Sequence, residues 1–103
     1  MDFDNVSVKR RAEILHGGRA SRRSIITADG DMKSLGLVLP GNYRFTTQAA
    51  ETLEVTAGHC RVKRAEDQAW VDCGPGQSIA VPANSYFEME ADEPVDYVCH
   101  YGV

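Results

Sequence analysis

One carboxylate stands out as a candidate for chemistry. Between Gly41 and Gly58 the chain reads G-N-Y-R-F-T-T-Q-A-A-E-T-L-E-V-T-A-G, the pattern of a strand, a short turn and a second strand. Side chains alternate along a strand, so Tyr43, Phe45 and Thr47 share one face. Past Gln48-Ala49-Ala50, Glu51, Leu53 and Val55 share a face in the same way. An acid and a hydroxyl therefore stand beside an aromatic ring on the expected inner wall of a small β structure. An inward carboxylate is costly unless something pairs with it. Two readings of Glu51 follow: an acid directed at a ligand, or half of a structural ion pair with an inward Arg or Lys. Glu54 falls on the opposite face and is expected in solvent.

Other reactive types are sparse. Cys60, Cys73 and Cys99 are odd in number and form no C-x-x-C pair, so reduced thiols in a cytoplasmic protein fit better than a disulfide framework or a zinc site. Cys99 is expected as a small core residue, since nothing near it in sequence would lower a thiol pKa. His16, His59 and His100 are scattered; His59 falls in a turn, and His100 on the face opposite Tyr97 and Tyr101. No Ser-His-Asp or Cys-His arrangement has a context that supports nucleophilic catalysis.

The elements that must position these residues are strands. Met1 to Leu15 is mixed, with Val6-Ser7-Val8 a short strand or an arm, Lys9-Arg10-Arg11 a solvated basic run, and Gly17-Gly18 a turn. Arg19 to Thr27 reads as a strand, and the Asp29-Gly30 pair that follows is a hairpin cue. Strands then follow at Lys33 to Leu39, Tyr43 to Thr47, Glu51 to Val55, Cys60 to Arg64, Ala69 to Val71, Gln77 to Val81, Tyr86 to Glu90 and Val95 to Tyr101, broken by Gly or Pro turns. No stretch after residue 17 has helical periodicity over a useful length. Short, regularly spaced strands of this kind indicate an all-β sandwich or barrel.

Bulk properties fit one folded domain spanning 1–103: 103 residues, 43% hydrophobic and 25% charged, with room for one core. The surface-to-volume ratio of so short a chain favours a dimer. A net charge of −4 argues against a nucleic-acid partner, whose binders are usually basic. No apolar run has the length of a signal peptide or a membrane span, which makes the cytoplasm the expected location and a membrane partner unexpected.

Spacing then becomes informative. Glu51 precedes Gly58 by six intervening residues, and Gly76 is followed by five residues, Pro82, the Asn84 corner and Phe87. This resembles the two motifs of the cupin superfamily, a double-sheet jelly-roll β-barrel. In many cupins two histidines and a glutamate of the first motif, with one histidine of the second, hold a metal. Those positions fall here at Phe45, Thr47, Glu51 and Phe87. A lone carboxylate and a hydroxyl are too few for a transition metal, so no metal and no other cofactor is expected.

The runs K-S-L-G-L-V-L-P-G-N-Y-R-F-T-T-Q-A-A-E-T-L-E-V-T-A-G, V-P-A-N-S-Y-F-E-M and P-V-D-Y-V-C-H-Y, with N-V-S-V-K near the start, are similar to a small cupin family, the pyrimidine/purine nucleoside phosphorylases. The resemblance covers nearly the whole chain. It implies a metal-free homodimer of broad base tolerance that converts a nucleoside and inorganic phosphate into free base and ribose 1-phosphate. Such chemistry needs phosphate held near C1′, charge on the ribose stabilised and the departing base assisted. With that reaction in view, Glu51 and Thr47 are the catalytic candidates. Tyr43, Phe45, Phe87, Tyr97, Tyr101 and Ser85 are candidates for holding the nucleoside, although core packing is an equal reading for at least half of the rings. Arg22, Arg23 and Lys33 are the phosphate candidates, because alternation turns Arg44 and Arg61 outward; for each, a solvated surface position is the alternative. Two other readings remain open: a metal-free cupin that binds a sugar-like or nucleotide ligand without turnover, and a dimerising scaffold.

Overall fold

The computed structural model describes residues 2–102. The strands are β1 (Ser7–Val8), β2 (Glu13–Leu15), β3 (Ala20–Ile26), β4 (Met32–Val38), β5 (Gly41–Thr46), β6 (Glu51–Ala57), β7 (Cys60–Arg64), β8 (Val71–Cys73), β9 (Ser78–Val81), β10 (Tyr86–Ala91) and β11 (Val95–Tyr101). Among the described residues they form two antiparallel sheets: the larger runs β1-β3-β4-β11-β6-β9 with β2 also on β3, and the smaller runs β5-β10-β7-β8. The fold is all-β and double-sheeted, the arrangement that the resemblance to cupins implies.

The two sheets face one another, and alternation supplies the core between them. Tyr43, Phe45, Val62, Phe87 and Met89 come from the smaller sheet; Val38, Leu53, Val55, Val95, Tyr97 and Cys99 come from the larger. Each fully buried aliphatic side chain contributes about 1.5–3 kcal/mol of transfer free energy. The strands of the Gly41–Gly58 segment do not form a hairpin. The turn at Gln48-Ala49-Ala50 carries the chain from β5 in one sheet to β6 in the other, so the aromatic face and the Glu51 face look at each other across the core.

Two expectations shift. The strand expected at Ala69 to Val71 starts at Val71 and continues to Cys73, because Asp67 accepts from the Arg64 backbone N–H and side chain and folds 65–70 away from the ladder. The N-terminal segment lies along β3 as two short pieces, Ser7–Val8 opposite Ile25–Ile26 and Glu13–Leu15 opposite Ala20–Arg22.

Gly58 and Gly36 are places where only glycine fits. Gly58 has φ +82°, and a Cβ there would lie 2.3 Å from the Pro94 carbonyl oxygen. Gly36 lies under the Tyr97 ring, whose Cζ would stand 2.2 Å from an added Cβ. Across the large sheet Arg22, Gly36, Tyr97 and Val55 form one row, so the missing side chain at 36 is what lets Tyr97 lie flat beside Arg22.

Candidate active site

The ends of several strands border an open cavity of about 510 Å³, lined by Arg22, Met32, Thr46, Gln48, Ala49, Glu51 and Tyr101. Glu51 opens β6 and is 7% exposed. Its ladder neighbour is Tyr101, and Cys99 lies opposite the next inward residue, Leu53. The Cys99 thiol donates to Glu51 Oε1 at 3.8 Å. Burial pushes the Glu51 carboxyl above its usual range, opposed by the Arg22 charge and the Cys99 hydrogen bond. Burial and the neighbouring Glu51 charge push the Cys99 thiol up to about 12, so it stays a donor rather than a thiolate. No hydrogen bond joins Glu51 to a basic side chain among the described residues. The reading of Glu51 as half of a structural ion pair therefore loses its partner: Arg22 is near enough to act through its charge but is bonded elsewhere.

That other partner is Glu13. Arg22 Nε donates to Glu13 Oε1 at 2.9 Å and Nη2 to Oε2 at 3.2 Å. The forked contact raises the pKa of the guanidinium and lowers that of the Glu13 carboxyl. Tyr101 is half-buried, and its hydroxyl shares a 2.7 Å hydrogen bond with Ser34 Oγ.

The remaining candidates separate. Thr47 is buried, but its hydroxyl donates to the Pro82 carbonyl at 2.7 Å and accepts from the Ser85 N–H at 3.0 Å. Its one proton ties the 47–48 corner to the 82–85 corner, so the hydroxyl of the catalytic expectation is engaged with backbone in this structure. Ser85 belongs to that corner through its backbone and does not line the cavity. Tyr43, Phe45 and Phe87 form a stack with centroid separations of 6.0 and 5.3 Å; with Tyr97 they belong to the buried core and stand outside the cavity lining, where Tyr101 is present. Tyr43 is further tied down by donating to the Leu39 carbonyl at 2.5 Å.

The phosphate candidates divide by strand alternation. Arg22 faces the cavity. Arg23, its neighbour, is exposed in an outer groove with Leu35, Leu37 and Asp96. Lys33 is also on the outer face, because Ser34 beside it turns inward to Tyr101; its Nζ donates to His100 Nδ1 at 2.8 Å. Arg44 and Arg61 point outward as expected, Arg44 over the Tyr86 ring at 3.8 Å and Arg61 bonded to Glu90.

Sequence reasoning missed Glu13, which lay in the segment without a clear pattern. It also missed His16, which adopts φ +50° and packs edge-on to Tyr43 and Phe45 at 5.1 and 5.0 Å. The adjacent glycine pair was the one local signal that this backbone turns sharply.

The comparisons with known proteins fall on this same scaffold. The profile of the family described as pyrimidine/purine nucleoside phosphorylase matches residues 10–101. This chain belongs to that family. A pyrimidine/purine nucleoside phosphorylase of Thiobacillus denitrificans is 46% identical over 101 residues, covering 97% of each chain. Another, from Cupriavidus pinatubonensis, is 43% identical over 100 residues, covering 97% of this chain and 95% of its own. Among solved structures, an Acinetobacter protein of unknown function superposes with a TM-score of 0.94 at 38% identity, covering 97% of both chains. A cupin-2 domain from Rhodospirillum rubrum superposes with a TM-score of 0.69 at 17% identity, covering 96% of this chain and 70% of its own, a likeness of fold.

Proposed function

We propose that this chain is a nucleoside phosphorylase of broad specificity, a pentosyltransferase acting as a single domain over 1–103. The observation that carries the reading is the buried Glu51 carboxylate, unpaired with any basic side chain among the described residues, facing a cavity it shares with Arg22 in a chain of this family. In the proposed reaction a phosphate oxygen attacks C1′ of the nucleoside. The C1′–N bond breaks, its electron pair stays on the base nitrogen, and the proton of hydrogen phosphate ends on the free base. Arg22 holds the phosphate by a two-point contact suited to its oxygens. Glu51 accepts from the ribose hydroxyls and stabilises positive charge at C1′. Tyr101 and Met32 give the nucleoside an apolar wall that does not read base edges, which suits purines and pyrimidines alike.

The setting we propose is a cytoplasmic homodimer. Three free, buried cysteines suit a reducing compartment. Leu35 and Leu37, 39% and 38% exposed on the outer face of the larger sheet, suit a covering second copy; light scattering at a monomer's mass would remove that part.

Purified protein with uridine or inosine, with and without phosphate, tests the activity. Free base that appears only with phosphate is the expected result. Base released without phosphate would make the protein a hydrolase, and no base at all would favour a cupin that binds its ligand without turnover.

A further inference from the structure

Among the described residues Glu13 is the one acid that hydrogen-bonds the proposed phosphate-binding arginine. It lies on β2, directly opposite Arg22 in the ladder. Its two oxygens take Nε and Nη2 of the guanidinium, the planar pair of donors that a phosphate takes in a two-point contact. An anion bound to Arg22 in that manner and the Glu13 carboxylate claim the same hydrogens.

The contact is also built to open. The Glu13 side chain is 55% exposed and that of Arg22 30%, a setting in which ion pairs are weak. Strand β2 is three residues long and pairs with β3 alone. It runs straight into a turn where His16, Gly17 and Gly18 all have positive φ, at +50°, +65° and +94°. Such a segment shifts at little cost. Phosphate carries more charge and more acceptor oxygens than a carboxylate, so it displaces Glu13 by mass action.

We propose that Glu13 is a built-in competitor for phosphate: its carboxylate occupies Arg22 in the empty enzyme and leaves when inorganic phosphate binds. This rests on the reading of Arg22 as the phosphate holder. It sets the apparent phosphate affinity below the intrinsic one by the fraction of molecules in which Arg22 is free, and it makes the empty site refuse weaker anions.

The test is the phosphate dependence of uridine phosphorolysis at saturating nucleoside and constant ionic strength, on the full chain. Glu13→Gln is expected to lower the KM for phosphate about two- to fivefold, the range of an exposed ion pair, with the KM for uridine unchanged. Arg22→Met is expected to raise the KM for phosphate, and the double variant to match Arg22→Met alone, because the effect of Glu13 acts through Arg22. Thermal unfolding titrated with inorganic phosphate gives the same order of affinities independently of turnover. A phosphate KM that stays put or rises in Glu13→Gln overturns the proposal; a rise would make Glu13 a group that positions Arg22. If Glu13→Gln is silent while Arg22→Met weakens phosphate, only the competitor role is lost. If Arg22→Met is silent, the phosphate assignment fails and the competitor role falls with it.

Discussion

The two faces of the larger sheet carry charged clusters only a strand's thickness apart, and they are made differently. On the outer face Lys33, His100 and Glu54 form a closed chain. Lys33 Nζ donates to His100 Nδ1 at 2.8 Å, which leaves Nε2 as the protonated nitrogen that donates to Glu54 at 2.8 Å. On the inner face Glu51 is buried with a thiol as its hydrogen-bond donor, and Arg22, whose positive charge acts on it, is bonded to Glu13. Residues next to each other in sequence, His100 and Tyr101, belong to the two different clusters. A chain whose donors and acceptors are all matched stabilises the strands it crosses. A buried acid held short of its counter-charge keeps binding capacity for a ligand and lowers stability to do so.

The comparison breaks first at Glu51. Glu51→Gln keeps shape and burial and removes the charge, and turnover is expected to fall about a hundredfold or more, the scale of losing an electrostatic contact to a developing charge. Retained turnover in a folded variant would return Glu51 to a structural role. Arg22→Met against Lys33→Met gives the next contrast. The inner substitution is expected to raise the phosphate KM about tenfold, as for loss of hydrogen bonds to a charged group; the outer one is expected to leave it unchanged. Equal effects would mean that alternation does not decide which base meets phosphate.

Stability supplies a third contrast, with a definite sign. The Glu51 pKa is raised in the folded protein, so the folded state binds its proton more tightly than the unfolded chain does. Its contribution to stability is fully present below the ordinary value of 4.5 and is lost as pH rises through the elevated folded value. Glu51→Gln removes that loss. The variant is expected to unfold a few degrees above the parent at neutral pH, with the gap closing below about pH 4.5, where both forms are uncharged. A gap independent of pH in calorimetry would show that the carboxylate is not under strain.

Much of this contrast was readable in the chain itself, and the rest was not, for physical reasons. Alternation alone turned Glu51, Tyr97 and Tyr101 inward and Glu54 and His100 outward, because a strand has one period and one free choice of face. Strand order carried no such signal. Arg22 on β3 and Glu51 on β6 share the larger sheet with β4 and β11 between them, an order that no local pattern announces, so the closeness of Arg22 to Glu51 was not legible. The outward turn of Lys33 was not legible because its register depends on Ser34 finding Tyr101, a partner 67 residues away. Glu13 was invisible because a three-residue edge strand is held by its neighbour rather than by its own pattern. Thr47 looked catalytic because nothing local announces that Pro82 and Ser85 will claim its hydroxyl.

The smallest expected effect tests the outer face. His100 is about a quarter exposed and Glu54 about two fifths exposed at their side chains. Pairs in such settings contribute about 0.2–1 kcal/mol. His100→Gln keeps an amide donor for Glu54 and a carbonyl acceptor for Lys33 but loses the rigid ring that holds the two in place, so it loosens the chain. The expected loss of stability is under about 1 kcal/mol, a shift in Tm of a few degrees. The KM values for phosphate and uridine are expected to stay within about twofold of the parent, since the proposed site lies on the other face and surface changes of this size alter stability by only about 0.5 kcal/mol when they touch no special feature. A large drop in turnover from His100→Gln would mean that the outer chain acts on the site through β11, where Tyr101 is the next residue and lines both the cavity beside Glu51 and a second cavity beside Lys33 and His100. The two clusters would then have to be treated as one.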